Sequence, residues 1–423
     1  MALNRQVDIA INHDPEAIIM HTANHPDATH YVQDIWSVDP KEVTSGLPVG
    51  LAWFSPDCKH FSKAKGGRPV EKKIRDLAWV VVNWAREVHP EIIMVENVEE
   101  FRTWGPLDAN NKPDKLRQGE TFDEWVASLQ ELGYRVQWKE LRASYFGAPT
   151  IRKRLFIIAR RDGKPIIWPE PTHGPGRLPE RPAHECIDFS IPTRSIFGRP
   201  KPLSDATLKR IAYGTYRYVI NDPDPFIVGN DQISVPTLIQ TSWGERPGQA
   251  PRVPGLFKPL GTAMGGGVKH ALVSAFLTKF YGTAIGADLE QPMPTVTAGG
   301  KKLGLVYAFL THYYSGGGQA QNMREPMHVV TSKARIALVT VHGEQYAISD
   351  IGMRMLEPKE LYAAQGFPRD YVIEPLVNGK PMTKTAQVRM AGNSVCPPVA
   401  RALVQANAAH LMVDYAYAAA GGA

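Results

Sequence analysis

Cys58 lies in Phe54-Ser-Pro-Asp-Cys58-Lys-His-Phe-Ser62, a turn-like stretch after an apolar run, with Lys59 and His60 adjacent and Lys63 and Lys65 close behind. Positive neighbours favour the ionised form of a thiol, which is the nucleophile, whereas the common fate of a free Cys is to be a small buried hydrophobe. The polar, turn-rich flanks argue for the nucleophile. Glu96 follows four apolar residues, Ile92-Ile-Met-Val95, and precedes Asn97-Val98. A carboxyl at the end of a buried strand has its pKa raised and can serve as an acid near neutrality; the plainer role is helix capping. Arg152 and Arg154 flank Lys153 at the start of another apolar run. In a strand they share a face and can hold an anion or a carbonyl edge, although a solvated edge strand reads the same way.

The elements around these residues are those of an α/β domain. Val7 to Ile11 reads as a strand leading into Asn12-His13-Asp14-Pro15, where Pro suits a first helical turn. Val49 to Phe54 is a second strand, running into the Cys58 segment. Glu71 to Val88 reads as a helix, Ile92 to Val95 as a buried strand stopping at Glu96-Asn97, and Thr121 to Leu132 as a helix closed by Gly133. Tyr134 to Leu141 with Leu155 to Ala159 resembles an antiparallel pair. Pro358 to Gln365 and Pro398 to Ala409 are expected helices. Cys58 and Glu96 then stand just past strand ends, where open α/β sheets bind ligands.

The middle of the chain differs. Of 36 Gly and 35 Pro in 423 residues, 37 fall between 171 and 340. That window carries 18 Lys+Arg against 11 Asp+Glu, a surplus of seven that exceeds the +6 of the whole chain. It also repeats: Pro259-Leu-Gly-Thr262, Pro292-Met-Pro-Thr295 and Pro326-Met-His-Val329 are spaced 33 and 34 residues apart, each followed by short apolar pairs. A small β-rich, basic module that reads a polyanion fits this pattern better than a solenoid. At 43% hydrophobic and 21% charged the chain is globular rather than disordered. Three scattered Cys exclude a disulfide framework and a four-thiolate zinc site, and fit a reducing cytoplasm. No apolar run approaches the roughly 20 residues of a membrane helix, so neither membrane nor metal is expected as a partner.

Taken in order, these pieces resemble the cytosine-5 DNA methyltransferase family. Ser55-Pro-Asp-Cys58 is similar to its nucleophile motif, Glu96-Asn-Val98 to its Glu-Asn-Val motif, and Thr150-Ile-Arg152-Lys-Arg154 to its paired-arginine motif. Arg354 to Glu360 with Gln365-Gly-Phe-Pro368 resembles the late motif, and Gly392-Asn-Ser-Val-Cys-Pro-Pro398 the closing Gly-Asn motif. Any one is weak, but five in order around a variable insert are specific. The resemblance implies a Rossmann-like α/β domain dependent on S-adenosylmethionine, in two parts (1–170 and 341–423), interrupted by a β-rich target-recognition domain (171–340). It implies methyl transfer to carbon 5 of a flipped cytosine in double-stranded DNA, with Cys58 as nucleophile, Glu96 as acid, and Arg152 and Arg154 holding the base. A monomeric enzyme of the restriction-modification type is expected.

For the cofactor, the resemblance places Asn12, His13 and Asp14 at the ribose, Asp34, Ile35 and Leu77 at the adenine, and Asn393, Ser394 and Val395 along the pocket. The Asn-His-Asp and Asp-Cys-Lys wording is similar to a subgroup common in phage and prophage enzymes. One departure stands out: the family's opening strand and Phe-x-Gly-x-Gly turn have no counterpart before Asp14, and the runs Gly265 to Gly267 and Gly316 to Gly318 are in the wrong context. The alternative expectation is therefore a truncated, catalytically defective DNA-binding homologue. A zinc deaminase would need a Pro-Cys-x-x-Cys pair, which is absent from the sequence. A thiol hydrolase would need a His and an orienting residue near Cys58, and it explains neither the insert nor the Gly-Asn motif.

Overall fold

The structure, a computed structural model, describes residues 2–3, 5–56, 76–109, 112–229, 233–242, 244–279, 338–341 and 344–412. It divides into two compact units, Met1–Arg181 with Tyr362–Ala423, and Pro182–Leu361.

In the first unit, β1 (Ile9–Asn12) leads through α1 (Pro15–Asn24) to β2 (Thr29–Val32), which pairs with β1 in parallel, Ile9 opposite Thr29. The helix starts where the sequence expects it: the Asp14 carboxylate accepts from the backbone N–H of Glu16, and Pro15 occupies the first turn, where no donor is lost. After α2 (Pro40–Val43), capped by Asp39, come β3 (Leu51–Phe54), α3 (Trp79–Glu87), β4 (Ile92–Asn97), α4 (Glu120–Glu131), β5 (Arg135–Arg142) and β6 (Lys153–Arg160). These strands form a sheet in the order β3-β4-β6-β5, parallel between β3 and β4 and antiparallel elsewhere. The expected pairing of 134–141 with 155–159 is thus present as β5 and β6.

Every residue of β4 is buried, and its alternation explains why. Ile93 and Val95 face a core with Val81, Val82, Trp125 and Leu129 from α3 and α4. Ile92 and Met94 face the opposite core with Phe156 and Ile158 and with Val399 and Leu403 of the last helix. Helices on both faces make each such side chain worth about 1.5–3 kcal/mol of burial. Of the boundaries that differ from the sequence reading, two lie beside the candidate site residues. Glu96 and Asn97 belong to β4 rather than following it, because both continue the ladder, opposite Phe156 and Leu155. Of the expected helix 71–88, residues 71–75 lie outside the described residues, and a 3-10 turn (Asp76–Ala78) precedes α3.

The second unit is an antiparallel sheet. Its strands are β7 (Arg194–Ser195), β8 (Ser234–Gln240), β9 (His270–Lys279), β10 (Leu338–Val341) and β11 (Glu344–Met355), ordered β10-β11-β9-β8 with β7 on β11. β11 lies in this sheet and not in the catalytic part that the reading of 341–423 assigned it to, since it pairs with β9 from Met355 opposite Ala271 to Tyr346 opposite Lys279. The repeat beginning at Pro259 leads into β9; that at Pro292 lies outside the described residues, as does the one at Pro326 up to its closing apolar pair Leu338-Val339, which lies in β10. The Gly/Pro-rich text hid one helix, α5 (Asp205–Thr215), capped by Ser204, which lays Ile211 and Ala212 on the core of Val235, Val273 and Ile351.

An ion pair on a buried arginine ties this unit together. Arg210 of α5, fully buried, donates from Nε to Glu245 Oε1 at 2.5 Å, and the N–H of Arg252 donates to the same oxygen at 3.2 Å. The hydrogen bond from Arg210 pulls the Glu245 carboxyl down to about 2. Its stabilisation is therefore complete above the ordinary carboxylate range, near 4.5, and is lost as pH falls towards 2. Glu245→Gln removes the carboxylate from the buried Arg210 guanidinium and is expected to cost about 2 kcal/mol in urea unfolding at pH 7, with a flatter stability profile between pH 5 and 2.

The chain re-enters the first unit along α6 (Pro358–Ala364). A small hairpin of β12 (Leu376–Val377) and β13 (Lys380–Pro381) then precedes α7 (Lys384–Asn393) and α8 (Pro397–Ala408).

Candidate active site

The sheet of the first unit brings Glu96, Arg152 and Arg154 together from residues more than fifty positions apart. Glu96 is the fifth residue of β4, and Phe156 lies directly across from it on β6, so Arg154, two residues earlier on the same strand, shares that face. Arg154 Nε lies 3.3 Å and Arg152 Nη2 3.7 Å from Glu96 Oε1, a buried oxygen that accepts no hydrogen bond among the described residues. Burial pushes the Glu96 carboxyl above its ordinary range, against the opposing pull of Arg152 and then Arg154. Two guanidinium groups around one carboxyl leave a net positive pocket, suited to an anionic or carbonyl-bearing ligand.

The nucleophile candidate, Cys58, lies outside the described residues. Its entry point is described: Asn97 Nδ2 donates to the carbonyl of Pro56 at 3.4 Å, so the chain leaves β3 for Cys58 beside the Glu96 end of β4. The other two cysteines are unsuited to reaction. Cys186 is buried, its thiol donating to the Ala183 carbonyl at 3.0 Å. Cys396 is buried at the start of α8, donates to Gln365 Oε1 at 3.1 Å, and has its thiol pushed by burial up to about 11.

The residues expected at the cofactor fall into three groups. Asn12 and His13 are exposed at the C-terminal end of β1, the Asn12 side-chain oxygen accepting from the Asp14 N–H at 2.9 Å. Asp14 is committed elsewhere, capping α1 and pairing with Arg389 of α7, which also reaches Glu16 at 2.6 Å. Asp34 caps the 3-10 turn Ile35–Ser37 by accepting from the Trp36 N–H. Ile35 packs with Ile11 and Phe54 against Val80 and Trp84 of α3, and Leu77 is half-buried in the turn before that helix. Asn393 is exposed at the end of α7, Ser394 donates back to the Ala391 carbonyl, and Val395 packs on the core under α8. One turn of α7 joins the groups: Arg389 holds Asp14, and the carbonyl of Gly392 accepts from Arg152 Nη1 at 3.0 Å. Among the described residues β1 pairs only with β2 and β3 only with β4, although Ile11 and Phe54 rest on the same helix.

The model of the C-5 cytosine-specific DNA methylase family matches residues 4–195 and 287–408. The chain belongs to this family. Its membership rests on a match to most of the sequence, broken within the second unit. Among characterised relatives, the Type II methyltransferase M.SacI of Streptomyces achromogenes is 29% identical over 207 residues, 46% of this chain and 50% of that protein. The Type II methyltransferase M.AquIA of Picosynechococcus is 28% identical over 172 residues, 40% of this chain and 68% of that protein. The match to M.SacI therefore spans half the length of that relative. The solved structure of a Spodoptera frugiperda DNMT2 mutant superposes with a TM-score of 0.51 over 95% of this chain and 92% of that one, at 13% identity, which supports the Rossmann-like α/β fold alone.

Within this family member, sequence reasoning missed Arg389, Asn97 as the anchor of Pro56, and Gln365, whose amide donates to the Ala391 carbonyl while its oxygen takes the Cys396 thiol. Arg389 had a signal: it stands four residues before Asn393, one helical turn, in a segment not read as a helix. Gly265 to Gly267 forms part of the approach to β9 in the second unit and is no strand-to-helix turn; Gly316 to Gly318 lies outside the described residues.

Proposed function

We propose that the chain is a DNA (cytosine-5-)-methyltransferase that moves a methyl group from S-adenosylmethionine to carbon 5 of a cytosine flipped out of duplex DNA. The observation that carries this reading is the buried Glu96 carboxyl, held protonation-prone by its surroundings, between Arg152 and Arg154 and beside the strand exit that leads to Cys58. The Cys58 thiolate adds to ring carbon 6 as Glu96 donates a proton to ring nitrogen 3, which leaves carbon 5 nucleophilic. Arg152 and Arg154 hold the base carbonyl and a nearby phosphate oxygen. After methylation at carbon 5, loss of the carbon 5 proton to a base, expulsion of the thiolate and return of the nitrogen 3 proton to Glu96 restore the aromatic ring and the starting protonation states.

S-adenosylmethionine supplies the electrophilic methyl group. The residues present fit its nucleoside half: Asn12 and His13 offer exposed polar groups at a strand end, Asp34 an exposed carboxylate, and Ile35 with Leu77 an apolar wall. With Asp14 engaged by Arg389, the ribose hydroxyls fall to Asn12. The second unit, Pro182–Leu361, is proposed to read the DNA site, with the basic surplus of the sequence between 171 and 340 supporting it. The Type II naming of M.SacI and M.AquIA supports a role in modification opposite a restriction enzyme. No helix among the described residues is long and apolar enough to cross a membrane.

Incubation with duplex DNA and methyl-labelled S-adenosylmethionine, followed by bisulfite sequencing, tests this reading. Label in 5-methylcytosine at a fixed sequence context is the expected result. Salt-dependent duplex binding with no label under saturating cofactor supports a DNA-binding homologue instead and overturns catalysis.

A further inference from the structure

Three histidines converge at the end of the first unit's α1 that faces away from Asn12. His21 lies in the last turn of the helix, His25 is its C-terminal cap four residues later, and His30 comes from β2. His21 Nδ1 and His30 Nε2 are 2.8 Å apart, and the His21 ring centroid lies 4.5 Å from that of His25 and 5.0 Å from that of His30. Nothing in methyl transfer uses them, because a helix of ten residues puts about 15 Å between this cluster and the Asp14 cap.

We propose that His21, His25 and His30 form a binding site for a transition-metal ion of the zinc, nickel or cobalt kind, in a chain whose sequence led us to expect no metal. Neutral imidazoles are the ligands such ions prefer, and two nitrogens on one tetrahedral ion with bonds near 2.0–2.1 Å stand about 3.3 Å apart. The His21 and His30 nitrogens, which share a hydrogen bond that the ion would replace with release of its proton, are within half an ångström of that spacing. His21 and His25 are separated by four residues, the spacing that puts two rings on one face of a helix. His25 is held by a further partner: its Nδ1 lies 2.7 Å from Gln6 Oε1, so Nε2 is the nitrogen that a turn of its ring would bring to the ion. The C-terminal end of α1 adds the negative pole of the helix, where a cation is favoured. The fourth position is left to water. An ion here staples α1 to β2 and steadies the loop end opposite the proposed cofactor residues.

The test uses the full chain stripped of metal with a chelator. Titration with Zn2+ by calorimetry is expected to show one tight site, and Co2+ to give the visible absorption of a four-coordinate complex. His21→Gln and His30→Gln should each weaken that site at least 100-fold, and Gln6→Leu about tenfold. His410→Gln should leave it unchanged; His410 with Glu91 and Asp162 is the rival cluster, with its Asp162 carboxylate already taken by Arg160 at 2.6 Å. A readout on the unaltered protein covers variants that fail to fold: Zn2+ should protect His21, His25 and His30 from diethyl pyrocarbonate, mapped by mass spectrometry. No tight site, a site lost in His410→Gln, or modification of the three histidines that ignores Zn2+ overturns the proposal.

Discussion

Cys58→Ser is expected to lower methyl transfer by at least about 10⁴-fold while duplex binding changes little. The proposed route needs a nucleophile ionised in a useful fraction at neutral pH. A thiol is, to a few per cent even when unperturbed, and positive neighbours such as Lys59 and His60 increase that fraction, whereas a serine hydroxyl stays protonated. A 10⁴-fold loss corresponds to about 5.4 kcal/mol of transition-state stabilisation, too much to attribute to a displaced loop with binding intact. Neither other cysteine can take over, since Cys186 and Cys396 are both buried and hydrogen-bonded in place. Two measurements on one preparation decide the matter, single-turnover transfer and duplex affinity at fixed salt. Near-normal turnover in the serine variant removes the covalent route; parallel loss of binding and turnover points to misfolding instead.

The sequence showed these elements unevenly, and particular residues explain where it stopped. β4 was legible because Ile92-Ile-Met-Val95 is a continuous apolar run and only a strand buried on both faces needs one. Its last two residues were not, since Glu96 and Asn97 are polar and only the ladder to β6 shows that they remain in the strand. α1 announced itself through Asp14 and Pro15, local chemistry that needs no tertiary context. α5 did not, because its window is crowded with Gly and Pro that belong to the neighbouring loops.

The same division runs through the candidate site. Glu96, Arg152 and Arg154 could be singled out by type and by motif, but their common focus on one carboxyl oxygen depends on β6 running antiparallel beside β4. Arg389 has as its one local sign its place a helical turn before Asn393; its partner Asp14 is 375 residues away and became visible only once α7 was laid against the start of α1. That pairing gives Asp14, which the resemblance places at the ribose, a structural duty as cap of α1 and partner of Arg389. A long-range ion pair of this kind is set by packing between helices, and no spacing rule within one segment encodes it.

Glu96→Gln separates an acid from a brace. The side chain keeps its shape and can still donate a hydrogen bond to ring nitrogen 3, but it cannot deliver a proton, so kcat/KM is expected to fall by about 10²–10⁴-fold. The pH profile carries the sharper signature. Burial raises the Glu96 carboxyl in spite of Arg152 and Arg154, so the unaltered protein keeps this proposed acid protonated to a pH above the usual carboxylate range and loses that form as pH rises further. Its profile should therefore have a descending limb set by Glu96, and the Gln variant should lose that limb and keep only the ascending one that belongs to the thiol. Stability follows the same sign. A carboxyl whose pKa is raised on folding contributes fully below its unfolded value, near 4.5, and that contribution is lost as pH rises through the folded value. Urea unfolding of the unaltered protein should show this pH-dependent component and Glu96→Gln should lack it. If Glu96 served only to brace the two arginines, the variant would lose stability while its residual activity kept the original descending limb, and the proposed acid would have to be sought elsewhere.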